Sequence, residues 1–293
     1  MLAVDAVDTV HRSPVDLFVI VSSDSDFIPL IRYLKALGKE IIGAGRKIIV
    51  PDSLVLACDD YIYLDEYLKE SSLKSLIIGV SGGIDSAVVS TLCAMTGAPT
   101  IVVTMPIRQH HTQHNLSLTH CWFLKGRYPN VTHINKDLTS VFQEFENTFE
   151  DEKDDLAFAN TRARLRMTAL YQVAQFNKGL VVGTGNKVED FGVGFFTKYG
   201  DGGVDISPIA DCKKTQVWKM GEHLGILKEI IQADPTDGLW EDGRPDVAQI
   251  GISYQDLEKA MEDSQDKNHK KYLEIRKRNL HKMQPIPVCK MDD

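Results

Sequence analysis

No apolar run in this sequence approaches the roughly 18 residues that a membrane-crossing helix needs. The opening MLAVDAVDTVH has neither a basic flank nor a small-residue cleavage site, so it is not expected to act as a secretory signal. The five cysteines (Cys58, Cys93, Cys121, Cys212, Cys289) are scattered and never form C-x-x-C. That excludes a disulfide framework and favours a reducing, cytoplasmic setting. Positive charge is also short, with 33 Lys and Arg against 41 Asp and Glu and a net charge of −8. Such a balance argues against broad binding to nucleic acid or a membrane surface. The glycine–lysine–serine/threonine ending of a Walker A loop is missing, which excludes an ordinary P-loop NTPase. What remains is an ordinary globular composition, 43% hydrophobic and 25% charged. A chain of 293 residues is long enough for one large or two modest domains.

Residues 1–66 and 67–293 read as two pieces. In the first, AVDAVDTVH is helix-like, VDLFVIVS reads as a buried strand, and DFIPLIRYLKALG is amphipathic and stops at a glycine. KEIIGAG and DDYIYLD follow as short strands. In the second, strands are expected at SLIIGVS, TIVVTMP, VTHINK and GLVVGTG. Helices are expected at DSAVVSTLCAMTG, HNLSLTHCWFLKGRY, FANTRARLRMTALYQVAQFN and TQVWKMGEHLGI, with a final one over YQDLEKAMEDSQDKNHKKYLEIRKRN. The acid-rich QEFENTFEDEKDD reads as an exposed helix end or loop. Alternating strands and helices predict an α/β fold, a doubly wound and mainly parallel sheet with helices on both faces.

The chemistry concentrates in GVSGGIDS, Gly79 to Ser86, between a strand and a helix. Bare glycines (Gly79, Gly82, Gly83) let backbone N–H groups approach an anion without side-chain obstruction. The helix N-terminus adds positive potential, and Ser81 and Ser86 add hydroxyls. A simple phosphate cradle has no use for Asp85, which would repel its ligand. With a magnesium ion between carboxylate and phosphate the acid makes sense. A plain strand-to-helix turn is the competing account of this stretch.

This loop resembles that of the PP-loop ATP pyrophosphatases, which cleave ATP to AMP and pyrophosphate to activate a carbonyl or carboxylate. NTRARLRM (160–167), GTGNKVEDFGVGFFTKYGDGGVD (183–205), SPIADCKKTQV (207–217), DPTDGLW (234–240) and HKMQPIP (281–287) are together similar to ammonia-dependent NAD synthetase, over roughly residues 67–293. The resemblance implies the adenine-nucleotide α-hydrolase-like PP-loop fold and a homodimer. It also implies a two-step ligase: adenylation of the nicotinate carboxylate of deamido-NAD by ATP, then displacement of AMP by ammonia to give NAD. Glutamine use would require a separate amidase domain.

It further implies roles by position. Gly79, Val80, Ser81, Gly82, Gly83, Ile84, Asp85, Ser86, Thr184, Lys214 and Thr236 fall on ATP-contacting positions. Asp85 and Glu189 fall on the magnesium ligands, at the ends of two strands expected to be neighbours. Arg164, Lys198, Asp205, His281 and Lys282 fall on deamido-NAD positions. Lys198 and Asp205 flank GDGG, expected to close over a substrate. Arg162 and Arg166 are expected to face elsewhere than Arg164, with Arg162 on a charged helical face. QADPTDGLWEDGRPDVAQIG (232–251) reads as a mobile loop able to cover ATP and exclude water. No residue is assigned as acid or base.

Two features depart from the pattern. Thr104 stands where the family usually has an arginine, with Arg108 as the candidate replacement. RQHHTQH places His110 and His114 at helical spacing, but no cysteine or carboxylate set accompanies them as metal ligands. Residues 1–66 resemble part of an NYN/PIN-like domain, with Asp5, Asp24 and Asp26 on acidic positions; the family's opening strand, with its first acid, would precede Met1. This piece is read as a partial domain serving as scaffold, dimer surface or relic. The alternatives for the whole chain are another PP-loop adenylating, amide-forming enzyme, or an NYN-type RNA-binding or nuclease protein carrying an inactive synthetase.

Overall fold

The structure is a computed structural model, and it describes residues 2–12, 15–21, 25–45, 51–63, 68, 71–109, 111–240 and 242–289. Asp24 and His110 lie outside these residues, as do the side chain of Asp5 and the expected boundary at 66/67. The chain divides into two compact units, residues 1–74 and 75–293.

The first unit alternates α1 (Leu2–Arg12), β1 (Leu17–Val21), α2 (Ile28–Ala36), β2 (Glu40–Gly45), α3 (Asp52–Val55) and β3 (Asp60–Tyr63). Its strands form a parallel sheet in the order β1-β2-β3. Helix α2 stops where Gly38 takes φ +74°, a left-handed turn that glycine adopts without strain. Ile20, Leu30, Ile31, Leu34, Ile41, Leu54 and Cys58 form a core of their own. Asp26 lies in a 3-10 turn, Ser25–Phe27.

The second unit holds four parallel strands, β4 (Ser75–Gly79), β5 (Thr100–Thr104), β6 (Val131–Asn135) and β7 (Gly179–Val182), in the order β6-β5-β4-β7. Each crossover contains helix: α4 (Ile84–Met95), α5 (His111–Arg127), then α6 (Thr139–Thr148) and α7 (Asp155–Asn177). Alternate strand residues face opposite ways. Ile77, Ile101, Val103 and Val181 pack on Met167, Leu170 and Ala174 of α7. On the other face Val102 and Val131 pack with Ala94, Cys121 and Leu124 of α4 and α5. The expected mainly parallel sheet with helices on both faces is what the structure has.

After β7 the chain makes a π-helical turn, Lys187–Val193, then α8 (Lys214–Leu224), α9 (Lys228–Ile231), α10 (Asp246–Ile250), α11 (Tyr254–Glu262) and α12 (His269–Met283). The single final helix expected from the sequence is therefore two. Between them Asp263 and Asp266 fold their carboxylates back onto the N–H groups of Gln265 (2.8 Å) and Asn268 (2.7 Å). These local bonds compete with helical ones and end α11. The acid-rich stretch is the exposed end of α6, a loop and the first residue of α7, and its penultimate residue, Asp154, caps α7 by accepting from Ala157 N–H at 2.7 Å.

Candidate active site

β4 ends at Gly79, and the chain turns through Ser81–Gly83 into α4. The turn is tied internally: Ser81 N–H donates to Ser86 Oγ (3.2 Å), Gly83 N–H to Ser81 Oγ (3.2 Å), and Ser86 Oγ to the Gly83 carbonyl (3.0 Å). Gly82 adopts φ +93°, and a Cβ there would lie 2.5 Å from the Gln113 carbonyl oxygen. Only glycine fits. The first turn of α4 carries no side-chain cap, so its N–H groups remain available to an anion.

This loop floors a cleft of about 450 Å³, which Thr184, Glu189, Lys214 and Thr236 also line. β4 and β7 are hydrogen-bonded neighbours, which brings Asp85 and Glu189 to one end of the sheet. Lys214 at the start of α8 reaches between them. Its ammonium is 2.5 Å from Asp85 Oδ2 and 2.8 Å from Glu189 Oε1. Asn186 holds the pair from the side, donating to Asp85 Oδ1 (3.0 Å) and accepting from Glu189 N–H (3.1 Å). Lys214 is 1% exposed. Burial favours its neutral form, but the two carboxylates outweigh that and hold it protonated. Burial raises the Asp85 carboxyl, against the pull of Lys214, and the Glu189 charge adds to the rise. At Glu189 burial is outweighed by Lys214 and by hydrogen bonds from Tyr254 and Asn186, so its pKa is lowered.

Tyr254 and Asp246 extend the network. The Tyr254 hydroxyl lies 2.5 Å from Glu189 Oε1 and 2.8 Å from Asp246 Oδ2. One hydroxyl proton serves only one of these contacts. Burial, then repulsion from Glu189, pushes the Asp246 carboxyl up to about 7, so its own proton serves the other. Asp190, which packs on the bare face of Gly185, is pushed up to about 8 by burial and by Glu189.

The residues placed on the dinucleotide positions gather around 196–205. Arg164 Nε donates to the Lys198 carbonyl (3.3 Å), Lys198 Nζ to the His281 carbonyl (3.5 Å), and Lys282 Nζ to the Phe196 carbonyl (2.8 Å). Asp190 and Asp201, both of which act on Lys282, line the cleft, whereas Arg164, Lys198, Asp205, His281 and Lys282 are not among its lining residues. Asp205 is engaged differently. Its carboxylate accepts from Val181 N–H (2.8 Å) and from the Tyr171 hydroxyl (2.9 Å), and it fastens the loop to β7.

Two expectations are corrected. Arg162 is not on a solvated charged face: it and Arg166 lie one helical turn apart, face away from Arg164 as expected, and point at 232–251. Arg162 is 8% exposed, with Nη1 on the Leu239 carbonyl (3.1 Å) and its guanidinium 4.3 Å over the Phe142 ring. Arg166 donates from Nη1 to the Gly238 carbonyl (3.2 Å). Arg108 does not stand in for Thr104, because its guanidinium pairs with Glu146 (2.7 Å) and lies over Phe142. Thr104 itself is buried, donating to Asn135 Oδ1 (2.9 Å) and accepting from His133 Nε2 (2.9 Å). In the 232–251 segment those arginines bond the carbonyls of Leu239 and Gly238, and Gln249 donates to Asp237 (3.1 Å) and accepts from Trp240 (2.9 Å).

Asp85 and Glu189 are hard oxygen donors already sharing one cation, which suits magnesium with phosphate and water completing its shell. Among the described residues no three His, Cys, Asp or Glu side chains converge as a metal cage, and His114 belongs to none.

A parallel α/β sheet with a glycine-rich turn at a strand end, an uncapped helix N-terminus and paired carboxylates on one ammonium defines a nucleotide-binding protein built to hold a polyphosphate. The NAD synthase family model matches residues 58–291, and the chain belongs to that family. The NYN domain model matches residues 1–65. An NH(3)-dependent NAD(+) synthetase of Alkaliphilus metalliredigens is 37% identical over 207 residues, covering 68% of this chain and 83% of that protein. Among solved structures, the NMN synthetase of Francisella tularensis has a TM-score of 0.72 at 30% identity, covering 78% of this chain and 94% of that one. The NH3-dependent NAD synthetase of Campylobacter jejuni has a TM-score of 0.62 at 24% identity, covering 77% and 93%, and shares the fold.

Proposed function

We propose that this protein is an ammonia-dependent NAD synthetase: an ATP-dependent ligase that adenylates the nicotinate carboxylate of deamido-NAD and then amidates it with ammonia. The observation that carries this is the meeting of Asp85, Glu189 and Lys214 beside the bare turn of Gly82 and Gly83. A carboxylate resists attack by an amine until it has a leaving group, and adenylation provides one. The protein's task is to neutralise phosphate charge, align two large anions and keep water from the mixed anhydride.

The turn of residues 79–86, with the uncapped N–H groups at the start of α4, and Thr184, Lys214 and Thr236 serve the ATP phosphates and sugar. Asp85 and Glu189 would hold magnesium, which when bound neutralises phosphate charge. Lys214 bridges those two carboxylates and favours their ionised forms, the forms that ion would need. Arg164, Lys198, His281 and Lys282 carry positive charge or donors toward deamido-NAD. Asp205 serves that substrate by holding its loop on β7. The segment 232–251 excludes water from above. A homodimer and a cytoplasmic setting complete the proposal.

The test is to incubate the protein with deamido-NAD, ATP and magnesium, adding ammonium or glutamine separately, and to quantify NAD and AMP. Equal NAD and AMP with ammonium alone is the expected result. AMP without NAD would overturn the assigned acceptor. The likeness to an NMN synthetase favours a second reading, amidation of nicotinate mononucleotide, whose reacting carboxylate is the same. Comparing kcat/KM for the mononucleotide and dinucleotide in the same assay separates the two.

A further inference from the structure

Arg166 has a guanidinium with five N–H donors in a rigid fork. Nε donates to the carbonyl of Met105, just past β5, at 3.2 Å. Nη1 donates to the carbonyl of Gly238, in the segment over the cleft, at 3.2 Å. Nη2 is buried and has no partner among the described residues. The residue nevertheless lines the cleft that the glycine-rich turn floors.

Position strengthens the case. α7 packs on the strand end where the turn begins: the Cβ position of Gly79 lies 3.3 Å from Met105 Cε and 3.4 Å from Leu170 Cδ1. Arg166 stands one helical turn before Leu170 on the same face. Lys214, which also lines the cleft, is already matched by Asp85 and Glu189. Thr104 and Arg108 are both engaged away from the cleft. Burial, then repulsion from Arg162, lowers the Arg166 pKa to about 10, so it stays charged at neutral pH. A half-buried cation that lines a polyphosphate site and keeps one guanidinium nitrogen buried and unpaired calls for an anion there.

We propose that Arg166 binds the phosphate chain of ATP through Nη2, while Nε and Nη1 fix its fork between the end of β5 and the covering segment at Gly238. The same side chain thereby links nucleotide occupancy to the placement of Thr236, two residues before Gly238. The inference rests on the cleft being the ATP site.

The experiment measures binding of adenosine, inorganic pyrophosphate and magnesium–ATP to the full chain and to its R166Q, R166K and R162Q variants. Melting curves establish that each variant is folded. The expected result for R166Q is a loss of at least tenfold in affinity for ATP and pyrophosphate, with adenosine affinity unchanged. R166K should recover part of it, because a point charge replaces the fork without its geometry. R162Q, which removes the tether on Leu239 without a group lining the cleft, should change ATP and adenosine affinity together. If R166Q binds ATP within twofold of the parent, or loses ATP and adenosine in parallel, Arg166 only tethers the segment and the proposal fails. Absence of ATP binding by the parent would overturn the ATP-site reading itself, and the role of Arg166 with it.

Discussion

At the scale of single residues, the site is an electrostatic balance around Lys214. Replacing it with methionine leaves Asp85 and Glu189 mostly buried, facing each other without their cation. Breaking a buried pair by removing one partner costs about 3–5 kcal/mol, and this is the expected loss in urea unfolding without divalent metal. Magnesium should restore part of it in K214M while affecting the parent less. An unchanged unfolding midpoint in K214M would show that the ammonium does not hold the pair. Asp246 makes a pH prediction. Its folded pKa of about 7 is above its unfolded value, so the folded state binds the extra proton. Its stabilising contribution is full below the unfolded pKa and disappears as pH rises through about 7. In D246N that part of the decline, on the order of a few kcal/mol, should vanish from stability curves taken between pH 4 and 8 (about one pKa unit is 1.4 kcal/mol). A parental slope retained in D246N would assign the decline to another group.

At the scale of elements, the turn between β4 and α4 works because of its backbone. Gly82 combines φ +93° with the Gln113 carbonyl oxygen 2.5 Å from where a Cβ would lie. Alanine there must strain the turn or push α5 away, at about 1–3 kcal/mol. Gly82→Ala should therefore lower the melting temperature and weaken magnesium–ATP binding together; ATP affinity equal to the parent's would mean the turn does not cradle phosphate. The same turn, Ser81 to Ser86, is tied by its own hydroxyls, which leaves the amides at the start of α4 for a ligand. Loop 196–205 is secured differently, by Asp205 on the β7 backbone and Lys282 on Phe196. A carboxylate or ammonium in a substrate-side loop can thus shape that loop as well as touch the substrate.

At the scale of the molecule, the two units have separate cores. Ile31, Leu34 and Ile41 pack within residues 1–74, whereas Ile77, Val103 and Val181 pack within 75–293. The chemistry proposed for the second unit draws on no acid of the first. An Asp24→Ala, Asp26→Ala double variant should therefore make NAD at the parental rate, within about twofold; a marked loss would tie the front unit to the ligase reaction. Within the second unit, clusters on the two sheet faces and a third around Val188, Tyr254, Leu257 and Tyr272 carry the strands, the π-helical turn and α11–α12. The cleft lies where strand ends and this third cluster meet, so its residues come from distant parts of the chain.

The sequence by itself determined the strands, most helices and the glycine-rich turn, because these follow from short periodicities and from glycine's freedom at positive φ. The ordered motifs also led to the family. The break between α11 and α12 was hidden by a charged, helix-compatible stretch, and only the Asx bonds at Asp263 and Asp266 reveal it. Arg162 looked like part of a solvated face, since no local pattern tells that 232–251 covers that side of α7. Asn186, Asp190, Asp246 and Tyr254 were missed for the same reason. Lys214 was legible as a position, but its place between Asp85 and Glu189, 129 and 25 residues away, was not. Periodicity and turns are properties of neighbours in sequence. Charge balance, burial and unpaired donors exist only once distant strand ends are brought together, and the tertiary structure decided those.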